Sequence, residues 1–506
     1  RGVKVIPDKN IDEILNGLDG SQEPLAELDI DQALRAIPKE ESESDMEFIA
    51  ETIAFNFCED YSWSEWGDYA WNTYFGPMMV MPKDDGTTMI FPNITQVKPE
   101  IIKYWKKRAK ESNHPVLKAR YSGLVWDFSR TVCIAPAPID MARIRIDSII
   151  AMAHNNMHKH NVNTIELLKH ALALSIQIND QQRIGFMRDA MIAYEHSVAE
   201  EGKQGLWGFS FDCLWDNKKV NLSEDQILGL ISDLESYLSN AYEPTQGNRI
   251  DPWSAEAAAI RLAQYYKKTE CPDDMRRVLL SYANAFVKEG ESKAAILRSS
   301  WLQMVCHQLI HFGLEEEAQE ILQRIREAGK ASHDELHPIT SSVSISTEKM
   351  KQYVESMIKG DFNESLQRIT IEYMPSQERI KNQLLDRSKK SPMPFLFQRE
   401  IQDQKGRPVA KIGSLRDDLH GHIYQQLFHN IAFTSFFMRE TFKALFGKFN
   451  PSVEDLIEYF YSYPLFDDLK KVTMARGLKA YIEGDSIAAN YILVPLIEDV
   501  IRNLLE

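Results

Sequence analysis

From about residue 97 to residue 330 the chain is a succession of amphipathic segments, each 12 to 20 residues long. They are separated by short breaks such as Asn161-Val162-Asn163-Thr164, Glu289-Gly290-Glu291-Ser292 and His311-Phe312-Gly313-Leu314. A helix with one apolar stripe must bury it, and breaks this short leave the next segment as the nearest cover, so stacked helical hairpins are predicted. Ala257, Ala258, Ala259 and Leu262, followed by Leu279, Tyr282, Ala283 and Phe286, set small residues against large ones at i, i+3, i+4 spacing, as in tetratricopeptide-like pairs. The segment from Leu302 to Ile325 is the best single example, although no strict 34-residue period runs along the chain. The expected body is an irregular α-solenoid, a surface that binds a protein partner.

Composition agrees with a folded chain. Its 506 residues are 44% hydrophobic and 26% charged, which excludes collagenous, low-complexity and wholly disordered classes. A formal charge of −16 opposes phosphate binding over the whole surface but leaves room for a local basic groove. The five cysteines lie far apart with no CxxC pair, so neither a disulfide framework nor a zinc knuckle is expected, and a reducing, cytoplasmic setting follows. No apolar run approaches the roughly 20 residues of a membrane span, so no membrane partner is expected. Arg1 and the uncapped final helix read as the ends of a piece trimmed from a longer protein.

The fold class predicted is mainly α: a helical-repeat body, one or two small β-hairpins and a C-terminal helical bundle. Residues 1–96 form an N-terminal segment, helical and aromatic from 46 to 75, with a hairpin between Met78 and Phe91 around Lys83-Asp84-Asp85-Gly86. Residues 97–330 are the repeat body. Residues 331–413 hold helices near 348–359 and 376–388 and a second hairpin from Phe395 to Ile412, after a serine-rich linker over 329–347. Residues 414–506 read as four helices, about 414–446, 452–461, 465–483 and 485–506.

Candidate chemistry is sparse. Tyr61, Trp63, Trp66, Tyr69, Trp71, Tyr74 and Phe75 could stack bases or cage a cation, but a packed helix face is the plainer reading, with Glu59, Asp60, Glu65 and Asp68 interleaved to repel phosphate. His154 and His158 have the i, i+4 spacing of a metal-chelating pair, without a carboxylate placed to complete a metalloprotease helix. His307 and His311 share that spacing in an apolar segment and read as core or groove histidines. No phosphate loop, nucleophile elbow or dinucleotide fingerprint occurs, so no cofactor and no metal is expected. What remains is C-terminal: Arg416, His420 and His422 near the start of one long helix, a spacing suited to an Arg and His catalytic pair, and Glu498 with Arg502 one turn apart on the last.

Two stretches, HPVLKARYSGLVWDF (114–128) and GLKAYIEGDSIAANYILVPLIEDVIRNLLE (477–506), resemble a family of uncharacterised helical proteins that includes the endoplasmic-reticulum-membrane-associated RNA degradation protein. Its marks here are Gly484-Asp485 at a helix start, the Leu493-Val494-Pro495 step, and Glu498 with Arg502. The resemblance implies a HEPN-type C-terminal bundle, whose nuclease members use an Arg-Asn-x-x-x-His motif for metal-independent RNA cleavage, often across a homodimer. It therefore implies RNA as a partner of the C-terminal bundle, in defence or toxin biology. Arg502-Asn503 begins like the motif, but Leu504, Leu505 and Glu506 follow with no His, so no catalytic role is carried onto Arg502 or Asn503. A ribonuclease of this type would be complete in a longer chain; a non-catalytic helical-repeat scaffold is the alternative.

Overall fold

The computed structural model describes residues 11–36, 46–59, 71, 73–82, 87–133, 135–243, 249–335, 344–403, 408–462 and 466–505. It is mainly α, with three two-stranded antiparallel sheets among the described residues. The chain divides into two compact units, Arg1–Ala328 and Gly329–Glu506. They differ in charge: the first holds 50 acidic and 35 basic residues and so nearly all of the −16, whereas the second holds 24 and 23.

The N-terminal unit opens with α1 (Ile11–Asp19), α2 (Glu27–Arg35) and α3 (Met46–Ala54). Of the helical pattern expected over 46–75, the described residues keep only α3: it stops at Ala54, and β1 (Phe57–Cys58) pairs with β2 (Gly76–Pro77), Phe57 opposite Pro77. Trp71, Tyr74 and Phe75 pack on the core, but from irregular backbone rather than a helix face; Tyr61, Trp63, Trp66 and Tyr69 lie outside the described residues. The expected hairpin follows as β3 (Met79–Pro82) and β4 (Thr88–Phe91).

From there each helix packs on the next: α4 (Pro99–Glu111), α5 (Pro115–Val132), α6 (Ile139–His154), α7 (Asn161–Gln177) and α8 (Gln181–Val198) around one core, then the short α9 (Phe209–Leu214). A second core joins α10 (Glu224–Tyr242), α11 (Pro252–Lys268), α12 (Pro272–Gly290), α13 (Ala295–His311) and α14 (Glu315–Glu335). In it Ala258, Ala259 and Leu262 meet Leu279, Tyr282 and Phe286, the small-on-large pairing that their spacing predicts. The helix α14 continues to Glu335, past the break expected at 329, with Ser332 buried and its hydroxyl donating to the Gly329 carbonyl at 2.8 Å.

The first core is unusual in holding charge. Glu51, fully buried, accepts hydrogen bonds from the Tyr104 hydroxyl at 2.8 Å and from the Tyr121 hydroxyl, and burial pushes its carboxyl above the ordinary range. Arg120 donates to the Ala54 carbonyl at 2.7 Å, to the Phe57 carbonyl, and to Glu59 at 2.9 Å. Arg145, only 1% exposed, reaches the same Glu59 at 3.6 Å and lies over the Phe75 and Tyr74 rings. That approach depends on Gly123, where a Cβ would stand 1.6 Å from Arg145 Nη1.

The start of α2 is tied to the connection between α6 and α7. The Leu25 amide donates to the Met157 carbonyl at 3.1 Å and Lys159 returns a bond to Leu25 at 3.2 Å, while Lys159 pairs with Asp29 and His158 Nε2 lies 3.2 Å from Glu27. Burial is the largest influence on both His158 and Glu27 and opposes their charged forms, but the hydrogen bond between them, their mutual charge and neighbouring groups, Arg120 beside Glu27 and the His160 carbonyl beside His158, together outweigh it, raising His158 and lowering Glu27 to about 2.

The C-terminal unit contains α15 (Thr347–Met357), α16 (Phe362–Tyr373), α17 (Gln377–Lys390), the single turn α18 (Met393–Leu396), a hairpin of β5 (Arg399–Gln402) and β6 (Pro408–Ile412), α19 (Leu419–Phe449), α20 (Val453–Tyr461), α21 (Lys471–Ile482) and α22 (Ser486–Leu505). The 31-residue α19 is its spine, about 46 Å long. Three small cores are strung along it: Ile423 with Ile380, Leu384 and Phe395; Leu445 with Met357, Leu366 and Ile369; and Phe446 against the core of α20, α21 and α22.

Two outcomes test this account. Gly123→Ala should displace Arg145 and cost about 1–3 kcal/mol, seen as a lower melting temperature. The tie of α2 should be full below pH 6.5, fade as pH rises through the raised value of His158, and fade again as pH falls toward that of Glu27. Amide hydrogen exchange over 25–35, corrected for intrinsic rates, should accordingly be slower at about pH 5.5 than at about pH 8.5, and His158→Gln should remove the difference.

Candidate basic hollow at the start of the long helix

The loop after β6 builds the start of α19. Asp418 caps the helix, accepting from the Gly421 amide at 2.8 Å and the Gly413 amide at 3.3 Å, and these bonds hold its carboxyl below the ordinary range. One turn on, His422 is 1% exposed. Arg399 Nη2 on β5 lies 3.0 Å from His422 Nδ1, and a guanidinium can only donate, so Nδ1 accepts. The ring hydrogen therefore sits on Nε2, which donates to the Gly413 carbonyl at 3.0 Å. Arg416 and His420 are exposed, and neither lines the hollow that His422 faces. The sequence-predicted trio is thus not assembled: His422 has both nitrogens committed and positions Arg399.

Arg399 and Arg387 converge on a hollow of about 140 Å³, with Phe395, His422, Gln426 and His429 among its walls. No lining residue is acidic. Arg387 Nη1 donates to Gln426 at 2.6 Å, Gln426 donates to Asn430 at 2.8 Å, and Asn430 donates to Gln383 at 3.2 Å, an amide ribbon that joins α17 to α19. Arg399 Nε is buried without a partner. Two guanidiniums without a facing carboxylate are a setting for an oxyanion.

Sequence reasoning missed Arg387 and Arg399 because α17 and β5 carry no motif. The signal that points to them is the loss of net acidity after residue 328.

The remaining candidates part company. Glu498 and Arg502 are both exposed on α22 and no ion pair joins them; their neighbour Asp499 pairs with Lys470 at 3.2 Å. Arg439 sits beside Glu440 and the Phe436 ring, about 30 Å along α19 from the end that carries Arg416. Arg416 and Arg439 therefore do not gather at one point. His154 ends α6 and His158 lies beyond it in the bridge to Leu25, so the pair does not share a helix face. His307 and His311 are exposed rather than core, while Cys306 beside them is buried. Among the described residues no group of three or more His, Cys, Asp or Glu is placed to hold a metal, and no helix is long and apolar enough to cross a membrane.

Both stretches that carry the family resemblance have structural work. In 114–128, His114 caps α5, Arg120 and Tyr121 enter the buried charge network, and the Asp127 carboxylate accepts from the Phe75 amide at 2.8 Å. In 477–506, Gly484 turns the chain at φ +81°, Asp485 accepts from the Ala488 amide, and Gly477 lets α22 close on α21, since a Cβ there would lie 2.6 Å from Leu493.

Residues 63–185 match a family described as a domain of unknown function, DUF7380. The match covers the aromatic segment and α4 to α7, and brings no activity with it. No curated protein and no solved structure matches the chain.

Removing His422 takes away both the acceptor of Arg399 and the donor to Gly413. His422→Ala should destabilise the C-terminal unit by about 1–3 kcal/mol in urea titrations. His420→Ala should stay within about 0.5 kcal/mol of the parent.

Proposed function

We propose that the protein targets RNA through its C-terminal unit, with the helical N-terminal unit as the body that meets a protein partner. The observation that carries this reading is the acid-free hollow of Arg387 and Arg399 in a unit whose charges nearly balance, within a chain of net charge −16. A phosphate group can take two charge-assisted bonds there without opposing a carboxylate. The HEPN-type resemblance of residues 477–506 supports the same substrate class, and the five widely spaced, unpaired cysteines suit a reducing, cytoplasmic setting. The reading is one of recognition: with His422 committed at both nitrogens, no proton-transfer residue is assigned within these 506 residues.

A second reading, a protein-binding scaffold, is favoured by a different observation. From Leu419 to Met438, α19 has no Asp, Glu, Lys or Arg, and Tyr424 and Phe428 there are each 70% exposed. Such a face is suited to a protein partner.

Fluorescence anisotropy with labelled single-stranded RNA separates the two. The parent chain should bind with a salt-dependent affinity, and Arg387→Gln with Arg399→Lys should weaken binding about tenfold. Their loss should also flatten the log–log salt slope by about 0.7 for each phosphate contact removed. No RNA binding by the folded parent, or a double variant with unchanged affinity and slope, would overturn the reading and leave the scaffold.

A further inference from the structure

The basic hollow has a neighbour along the same pair of helices. A second hollow, of about 350 Å³, lies between the α16–α17 corner and α19, with Tyr353, Tyr373, Phe433 and Phe437 among its walls. Tyr353 and Tyr373 join hydroxyls at 2.9 Å, Phe437 meets the Tyr353 ring edge-on, and Phe433 is 57% exposed. Its charged groups are one acid and one base, Glu372 and Arg379.

The two hollows share the amide ribbon. Gln383 and Asn430 line the aromatic one, Gln426 and Arg387 line the basic one, and the hydrogen bonds from Arg387 through Gln426 and Asn430 to Gln383 run between them. From Phe433 to Gln426 is about 10 Å along α19. The seam therefore offers, in order, aromatic rings, amide groups able to donate and accept, and two guanidiniums with no facing acid.

We infer that the α17–α19 seam binds one nucleotide unit of single-stranded RNA, its base against the aromatic hollow and its phosphate in the basic hollow; this rests on the RNA reading above. A flat ring gains from aromatic walls whatever its identity, whereas its Watson–Crick edge is free for the amide ribbon only when the strand is unpaired. A duplex presents neither a free face nor a free edge at this point. A purely anionic ligand would use the Arg387 and Arg399 end alone, and an apolar peptide would use only the aromatic end.

The test uses the full chain with three probes: a labelled single-stranded adenosine decamer, the same backbone with abasic ribose throughout, and its duplex. The decamer should bind at least tenfold more tightly than the abasic strand and the duplex. Phe433→Ala, at an exposed position that leaves the core packed, should lose about tenfold for the decamer and nothing for the abasic strand. Arg387→Gln should weaken both. Equal binding of decamer and abasic strand, or indifference of the decamer to Phe433→Ala, would overturn the base site while leaving RNA recognition standing. No binding of any probe would remove the RNA reading itself. Displacement of the decamer by free adenosine monophosphate in the parent but not in Phe433→Ala would uphold the paired hollows.

Discussion

A carboxylate shared by two buried guanidiniums organises the N-terminal unit. Glu59 meets Arg120 at 2.9 Å and Arg145 at 3.6 Å, and those two arginines also hold the carbonyls of Ala54, Phe57 and Ala119. Charges removed from water need opposite charge and acceptors close by, so the network commits α3, β1, α5 and α6 to one arrangement. The aromatic residues Tyr74 and Phe75 belong to the same commitment, since Arg145 lies over both rings. His170 stacks on Tyr74 with centroids 3.6 Å apart, and burial followed by the charge of Arg145 pulls its imidazole down to about 2. It packs there as a neutral ring.

The C-terminal unit solves a different problem. Its cores are small and separate, and among the described residues only α19 touches all three. The helix is thus ordered by short contacts at successive levels, which leaves whole faces between them unfilled. The aromatic hollow lies in such an interval, along the seam with α17; the basic hollow borders the core of Ile423, Leu384 and Phe395, and the uncharged face of Tyr424 and Phe428 is left open. The hollows and the open face in this unit are a consequence of sparse packing on a long helix.

Much of the helical body was legible because a one-sided apolar stripe has a single period and needs no partner to be recognised; α10 to α14 follow the spacing of their alanines and large apolar residues. Residues 57–58 and 73–75 were misread as helix because the aromatic density around them resembles a helix face, whereas Phe57 pairs with Pro77 across a strand ladder that no local period encodes. His158 was read with His154, four residues away, but its partners are Leu25 and Glu27, more than 130 residues distant. Of the three residues that build the candidate hollow, the sequence singled out His422 alone, and for a catalytic pair rather than for this wall; Arg387 and Arg399 reach it from an unremarkable helix and a hairpin strand.

The contact between Gly123 and Arg145 also constrains descent. Position 123 can carry a side chain only where position 145 no longer holds an arginine in that path, and an arginine at 145 requires its aromatic cover and Glu59. The two positions should therefore change together among related chains, and the pair should mark which of them keep a charged interior and which have exchanged it for an apolar one.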